Sequence, residues 1–470
     1  MIKKFLGILL SCILVLGSLL FVACSDPFDD EDNQEQVDGK TTVRVMCQND
    51  PLEKELMMQW KRGFEAQNSE INIYVETFTG AYQNEMLRLI GAKDLPDITW
   101  MGGNVHANFS SNGHYVDLRP YLERDGISTD IFNEISLEST HYNSTDEGIW
   151  FIPRDYNEIV TYVNVDIFAQ AGIEVPTPEE FDEKLFFEIC GKLRAAYDEG
   201  KIKTAGKKDK PVLLDMGWDP IGKAILASYN AYDYGPNGEL GLETEDAKLA
   251  YKRVGEYVMR DYAYMPATSD SDQFTTQRCA FTFNVRPYLA SAIKAGVNVQ
   301  ALPFPFAKTS AGCSGYGICT VSEVKDEAWE FIKYIISDEG QNIFGQSGMG
   351  VPSIESQWET TNWNQYYKTE EQGFNHSVFT TPTRGLSEGT VNERVIDVNS
   401  INIYDPAKHL TILQNTSAIY AALGRESTWT GSPLAYQVIP KDAYKMDGNW
   451  TALDNAISSF LTVIKTEIAK

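Results

Sequence analysis

Between residues 41 and 100 the spacing of apolar residues switches repeatedly between alternation and helical period, and this switching restricts the fold more than any other feature. Thr42–Cys47 sets Val43, Val45 and Cys47 alternately with polar residues and predicts a strand. Glu53–Ala66 follows with Leu56, Met57, Trp60 and Phe64 at helical spacing. Ile71–Val75 alternates again, Tyr82–Ile90 carries Met86, Leu87 and Ile90 on one helical face, and Leu95–Trp100 is a short strand entered through Pro96. Strands and helices that alternate at this interval build a parallel sheet with crossover helices.

The same grammar continues downstream. Ile149–Pro153 and Glu158–Val163 are expected as strands flanking a polar turn, Arg154–Asn157. Thr177-Pro-Glu-Glu180 reads as a helix start, with Thr as N-cap, Pro at the first position and Glu at the third, ahead of Phe181, Leu185, Ile189 and Leu193. Asp246–Arg260 predicts a helix and Arg278–Phe283 a strand. Pro303-Phe-Pro-Phe306 is a stiff break, because each proline fixes φ and removes a donor. Tyr316–Val321 predicts a strand, and Glu327–Ile336, Leu410–Leu423 and Leu453–Ile468 predict helices.

The N-terminus sets an address. Met1-Ile-Lys-Lys precedes an apolar run from Phe5 to Ala23, which is the pattern of a secretion signal and is also long enough to cross a bilayer. Val22-Ala23-Cys24-Ser25 is similar to a bacterial lipoprotein signal, although Phe21 stands where that pattern usually has Leu. The similarity implies a signal peptide over 1–23, lipidation of Cys24 and a place on the outer face of the cell membrane. Residues 25–40 hold seven Asp or Glu among sixteen, too few apolar groups to order themselves, so 24–40 is expected as a solvated acidic tether.

Charge and cysteine usage exclude several classes. With 40 Lys and Arg against 66 Asp and Glu, the net charge of −26, relieved only by short Lys clusters such as Lys201–Lys210, argues against a nucleic acid partner, which needs a positive face. Cys47, Cys190, Cys279, Cys313 and Cys319 are scattered and odd in number, as expected of buried thiols. The histidines at 106, 114, 141, 376 and 409 form no His-x-x-x-His or His-x-His pair, so no metal site or cofactor is expected. No Gly-x-Ser-x-Gly elbow is present, and acids this numerous do not single out a glycosidase pair. No enzyme is therefore expected, with a secreted carbohydrate-active enzyme kept as the alternative.

The order of motifs resembles the family-one extracellular solute-binding proteins of ABC importers, the group that includes maltose-binding protein. Leu95-Pro-Asp-Ile-Thr-Trp100, Val116-Asp-Leu-Arg-Pro-Tyr-Leu122, Thr161-Tyr-Val-Asn-Val-Asp-Ile-Phe-Ala-Gln-Ala-Gly172, Arg278-Cys-Ala-Phe-Thr-Phe-Asn284, Glu327-Ala-Trp-Glu-Phe-Ile-Lys-Tyr-Ile335 and Gly350-Val-Pro352 carry the resemblance, over roughly residues 41–355. Asn284-Val-Arg-Pro-Tyr288 departs from the Gly-Ser-Trp or Gly-Pro-Trp of many sugar binders, and the stretch beyond about 355 has no family signature. The resemblance implies a two-lobed α/β, periplasmic-binding-protein-like (Venus flytrap) fold, each lobe a mainly parallel sheet flanked by helices. Lobe 1 is expected over 41–152 plus 312–358 and lobe 2 over 153–311 plus 359–470, with Arg154–Asn157 and Pro303–Ala311 as hinge crossings.

Ligands of such sheets lie beyond the carboxyl ends of strands, so the loops there are the candidate site. Gln48, Asn49 and Asp50 follow the first strand and offer amides and a carboxylate, or an N-cap for the next helix. Tyr82 and Trp100 offer rings, with Asn104 beyond a Gly pair, and Asp155 and Tyr156 lie at the crossing. Trp218, Asn284, Arg286 and Tyr288 come from the second lobe, and Ser314 and Tyr316 from the return crossing. The ligand implied is a carbohydrate, the partners ABC permease subunits and a membrane, and the protein a monomer. A ligand-sensing partner of a membrane receptor is the other alternative.

Overall fold

The computed structural model describes residues 33–80, 82–102, 106–142, 146–203, 214–215, 221, 224, 228–229, 244–253, 263–264, 274–360, 362–364, 374–380, 395–397, 458 and 462. The signal segment, Cys24, Asn104, Trp218 and the helix expected over Leu410–Leu423 lie outside the described residues, and of the helix expected over Leu453–Ile468 only Ser458 and Thr462 are described, both helical.

The first alternating segment forms strand β1 (Thr41–Gln48), and Val43, Val45, Met46 and Cys47 are all buried. Burial of consecutive residues means that both sheet faces are covered, as crossover helices require. β1 pairs in parallel with β2 (Ile71–Phe78) along its whole length and with β3 (Ile98–Gly102). Helix α1 (Pro51–Gln67) crosses from β1 to β2. Asp50 caps it by accepting from the Leu52 and Glu53 amides, and Pro51 occupies its first turn. Its buried face presents Leu56, Met57, Trp60 and Phe64, the spacing seen in the sequence. Helix α2 (Tyr82–Ala92) then leads from β2 to β3.

Two strands return to this sheet from far along the chain. β4 (Ile152–Pro153) and β12 (Ser314–Ile318) complete the order β2-β1-β3-β12-β4, with β12 antiparallel to both of its neighbours. Close approach is needed at Gly315, where an added Cβ would lie 2.0 Å from the Ile152 carbonyl oxygen. A second sheet has the order β10-β6-β9-β7-β8, from β6 (Val160–Asn164), β7 (Leu214–Asp215), β8 (Ala263–Tyr264), β9 (Phe281–Asn284) and β10 (Val299–Leu302). Its core is aromatic. Phe281 packs edge-on against Phe168 at 5.2 Å, and Phe283 against Phe304 at 4.9 Å. The Pro303–Phe306 break thus delivers Phe304 and Phe306 into a core, a role its prolines conceal.

Three expectations are corrected. Arg154–Asn157 is not a turn: Asp155–Glu158 is strand β5, in a third small sheet with β11 (Thr309–Gly312), β13 (Val351–Pro352) and β14 (Val395–Asp397). Its polar residues tolerate the ladder because Arg154 and Asp155 find buried partners of opposite charge. The box at Thr177 closes only a turn, Glu180 Oε2 accepting from the Thr177 amide at 3.2 Å. The helix starts later, at Glu183, because Phe181 is consumed by the core and Asp182 supplies the cap to Leu185. Residues 33–40 are not freely solvated, since Asn33 hydrogen-bonds the main chain of Val75.

Candidate functional site

Strand directions define the site. β1, β2 and β3 run in parallel, so Gln48, Phe78 and Gly102 end at one edge of the first sheet. Register places Ser314, the start of antiparallel β12, opposite Gly102, and Pro153, the end of β4, opposite Gly315. The chain therefore leaves the first sheet at the same edge where its parallel strands finish. It enters the second sheet at Val160, opposite Asn284 at the end of β9. The second sheet gives the chain back after Leu302, which pairs with Thr161. Both carboxyl edges thus flank the crossings, which is where a crevice between two α/β bodies forms.

On the first of these edges the structure brings together Gln48, Asn49, Asp50, Tyr82 and Trp100. Asn49 and Asp50 are exposed and Gln48 is half-buried. Asn49 donates from Nδ2 to Thr79 Oγ1 at 2.9 Å, and Asp50 uses Oδ1 for the helix cap. Trp100 is 9% exposed and packs on Phe78, the last residue of β2, at 6.0 Å and on Tyr82 at 5.6 Å. Its indole Nε1 is buried without a hydrogen-bond partner. Leaving such a donor unpaired costs about 1–3 kcal/mol. Tyr82 serves the wall. Its hydroxyl shares a hydrogen bond with Tyr115, which in turn reaches Thr99 at 2.6 Å, and burial raises its pKa so that it stays protonated.

Behind this edge lies a buried ionic cluster. The Arg154 guanidinium donates to Glu53 Oε1, to Asp155 Oδ2 at 3.2 Å and to the Tyr316 hydroxyl oxygen at 3.2 Å. Tyr316 donates to the same Glu53 oxygen at 2.7 Å. Asp155 Oδ1 accepts from the Ser314 amide at 2.6 Å, tying β5 to β12. Gln341 donates to the Arg154 carbonyl at 3.3 Å. Burial pushes the Asp155 carboxyl up to about 6, against the pull of Arg154 and of the Ser314 amide. Burial also raises the Tyr316 hydroxyl, with the Glu53 carboxylate adding to it. Asp155, Tyr156, Ser314 and Tyr316 thus meet at the crossing, where all but half-buried Ser314 are at most 3% exposed. Tyr156 donates to Glu158 at 3.1 Å and packs on Trp358.

Glu53, Tyr115 and Gln341 were not evident in the sequence as partners of these residues. Glu53 carried one signal, since it stands three residues after the Asp50 cap, where a capping-box acid is expected. The structure turns it inward to Arg154 instead, and its second oxygen, Oε2, is buried without a hydrogen-bond partner.

On the second edge, Asn284 is half-buried and accepts from the Val285 amide at 2.9 Å. Tyr288 opens the helix Tyr288–Lys294 with its ring against Tyr162 at 5.5 Å. Arg286 is fully buried. It donates to the Gly348 carbonyl at 2.8 Å and to the Trp363 carbonyl at 2.7 Å, with Trp363 and Phe379 under its guanidinium. In this conformation it joins the end of helix Asp338–Ser347 to the second sheet's aromatic cluster rather than facing solvent. Among the described residues no cluster of three or more His, Cys, Asp or Glu is arranged to hold a metal. Cys47, Cys190, Cys279, Cys313 and Cys319 are buried and unbridged.

The architecture recurs in solved structures. An ABC substrate-binding protein from Listeria monocytogenes, in complex with cycloalternan, superposes with a TM-score of 0.66 at 16% identity, covering 91% of this chain and 99% of that one. UgpB from Mycobacterium tuberculosis, in complex with glycerophosphocholine, gives 0.66 at 13% identity over 92% and 99%. At that identity the likeness is one of fold: two lobes of α/β structure. In sequence, the sn-glycerol-3-phosphate-binding periplasmic protein UgpB of Rhizobium meliloti is 24% identical over 281 residues, or 55% of this chain and 62% of the relative's own length. The family model described as bacterial extracellular solute-binding protein matches residues 59–370, and the chain belongs to that family.

Proposed function

We propose that the protein captures a neutral carbohydrate, an oligosaccharide, between its lobes and delivers it to an ABC permease. Lobe 1 is taken as 41–152 plus 312–358 and lobe 2 as 153–311 plus 359–470. The observation that carries this reading is the Trp100 indole, packed on Phe78 and Tyr82 with its donor unsatisfied, at the same carboxyl edge of the sheet where Gln48, Asn49 and Asp50 follow β1. An aromatic face for sugar C–H groups, one N–H and a set of amides and carboxylate oxygens suit hydroxyls. A phosphate group asks for a fork of positive charge. The buried guanidiniums near the crossings, Arg154 and Arg286, are spent on Glu53, Asp155 and main-chain carbonyls. Ligand held from both edges biases the lobes toward closure.

Lipidation at Cys24 would hold the protein at the outer face of the membrane as a monomer, and neither a cofactor nor catalysis is needed for capture. A thermal-shift screen of oligosaccharides, with glycerophosphodiesters as the comparison set, tests the ligand class. Ligand at about 100 times its Kd adds roughly 2.7 kcal/mol of stability. Stabilisation by a saccharide and a several-fold weaker response in Trp100→Ala support the reading. Stabilisation by phosphodiesters alone refutes it.

A further inference from the structure

The acidic segment ahead of β1 does not hang free along its whole length. β2 is an outer strand of the first sheet, and such an edge leaves main-chain groups open to unwanted pairing. Since β2 pairs with β1 in parallel, alternate residues turn their N–H and C=O away from β1. The outward pairs belong to Ile71, Ile73, Val75 and Thr77, and those of Ile73 and Val75 are taken by side chains. Ile73 gives its amide to Glu65 Oε1 at 2.8 Å and its carbonyl to Lys61 Nζ at 2.5 Å, both from α1. Val75 gives its amide to Asn33 Oδ1 at 2.9 Å and takes a bond from Asn33 Nδ2 at 3.0 Å. One Asn side chain thereby copies the donor–acceptor pair of a neighbouring strand residue. The Asn72 side chain holds the next residue, donating to the Gln34 carbonyl at 3.0 Å. A turn from Lys40 to the Val37 carbonyl, 3.1 Å, brings the chain round into β1.

We propose that residues 33–40 are a clasp that pins the N-terminal segment to the β2 edge, so that this edge of the first lobe is the face presented to the lipid bilayer. The membrane half of the proposal rests on lipidation at Cys24. With the clasp closed, only residues 25–32 remain as leash, and the nine steps from Cys24 to Asn33 reach at most about 30 Å. Without it the leash would run to Thr41 and reach nearly twice as far, about 60 Å. Five of the eight leash residues are acidic. The body is then held at short range with one lobe nearest the membrane, while the second lobe stays free to close.

Hydrogen exchange and energy transfer test the two halves separately on the full chain. Asn33→Ala removes both bonds to Val75, and the Val75 amide is expected to exchange at least tenfold faster while Ile73, capped by Glu65, is unchanged. Equal exchange at Val75 in both proteins overturns the clasp. For orientation, a dye on Thr77→Cys (exposed, on β2) and one on Glu174→Cys (exposed, beyond helix Val165–Ala171) are compared in vesicles carrying an acceptor headgroup. Transfer from position 77 is expected to exceed that from 174 several-fold and to fall toward it in Asn33→Ala. Equal transfer from the two positions, or no fall in the variant, overturns the orientation. A mature mass lacking acyl chains overturns the anchor reading and the orientation with it, and exchange at Val75 still decides the clasp.

Discussion

Glu53 is the residue whose replacement tests the crossing most sharply. It is fully buried on α1, in the first sheet's body, yet its carboxylate meets Arg154 at the point where the chain leaves that sheet. Glu53→Gln preserves shape and removes the charge. Arg154, 3% exposed, would keep only Asp155 as counter-ion, at 3.2 Å from Nε. Tyr316 could still donate to the new amide oxygen, so the loss is mainly the charge interaction. Removing one partner of a buried pair typically costs about 3–5 kcal/mol, and the retained Asp155 puts the expected loss near the lower end, about 3 kcal/mol. Urea unfolding followed by tryptophan fluorescence reads this as a lower midpoint with unchanged slope. The double replacement Glu53→Leu with Arg154→Met removes that pair together but strips buried Asp155 of its counter-ion, so it is not expected to restore the parent's stability. A Glu53→Gln protein within about 0.5 kcal/mol of the parent would refute the reasoning, since that is the range of an unimportant surface change.

Asp155 gives a pH signature. Its carboxyl is raised from 3.8 to about 6 in the folded protein, chiefly by burial, with Glu53 raising it further and Arg154 and the Ser314 amide opposing. The folded state thus holds a proton that the unfolded state has lost, so this group's contribution falls as pH rises from about 4 to about 6, by roughly 3 kcal/mol in all. The difference between parent and Asp155→Asn stability curves isolates it; a difference that is flat from pH 4 to 7 contradicts the assignment. Gly340→Ala would set a Cβ 2.1 Å from the Tyr334 carbonyl oxygen and 2.6 Å from that of Ile335. Rigid backbone cannot yield, so a loss of at least about 3 kcal/mol is expected in denaturant titration, and a neutral substitution would show the contact to be wrong. Arg286→Met strips the Gly348 and Trp363 carbonyls of their donors and is expected to destabilise by about 2–5 kcal/mol on the same assay. An Arg286→Met protein as stable as the parent would instead leave the guanidinium available to ligand.

The fold was legible where local periodicity and topology agree. The run from β1 to β3 is read from Val43, Val45, Trp60, Phe64 and Ile98 because covered parallel strands and their crossover helices both need such spacing. The site's location was legible for the same reason, as strand ends follow from strand direction. Which polar residues are spent on the protein itself was not. Arg154, Asp155 and Tyr316 look in sequence like a polar hinge offered to a ligand, and only long-range pairing with Glu53 on α1 removes them from solvent. Arg286 has the same history, because its acceptors lie 62 and 77 residues away. The Thr177 box failed because a local cap competes with the burial of Phe181, and the core wins. Asn33 was hidden among acids, since nothing local announces a side chain that will imitate a strand.

A neutral polyhydroxylated ligand is expected to supply the acceptor that the Trp100 indole lacks. Isothermal titration of the purified protein and of Trp100→Phe, using an oligosaccharide selected by thermal shift, tests it most directly. Phe keeps the ring and deletes the N–H, worth about 0.5–1.5 kcal/mol when paired, so affinity should drop roughly 2–12-fold with the site otherwise intact. Equal affinity in the two proteins, or saturable binding of phosphodiesters with no response to any saccharide, would contradict the account.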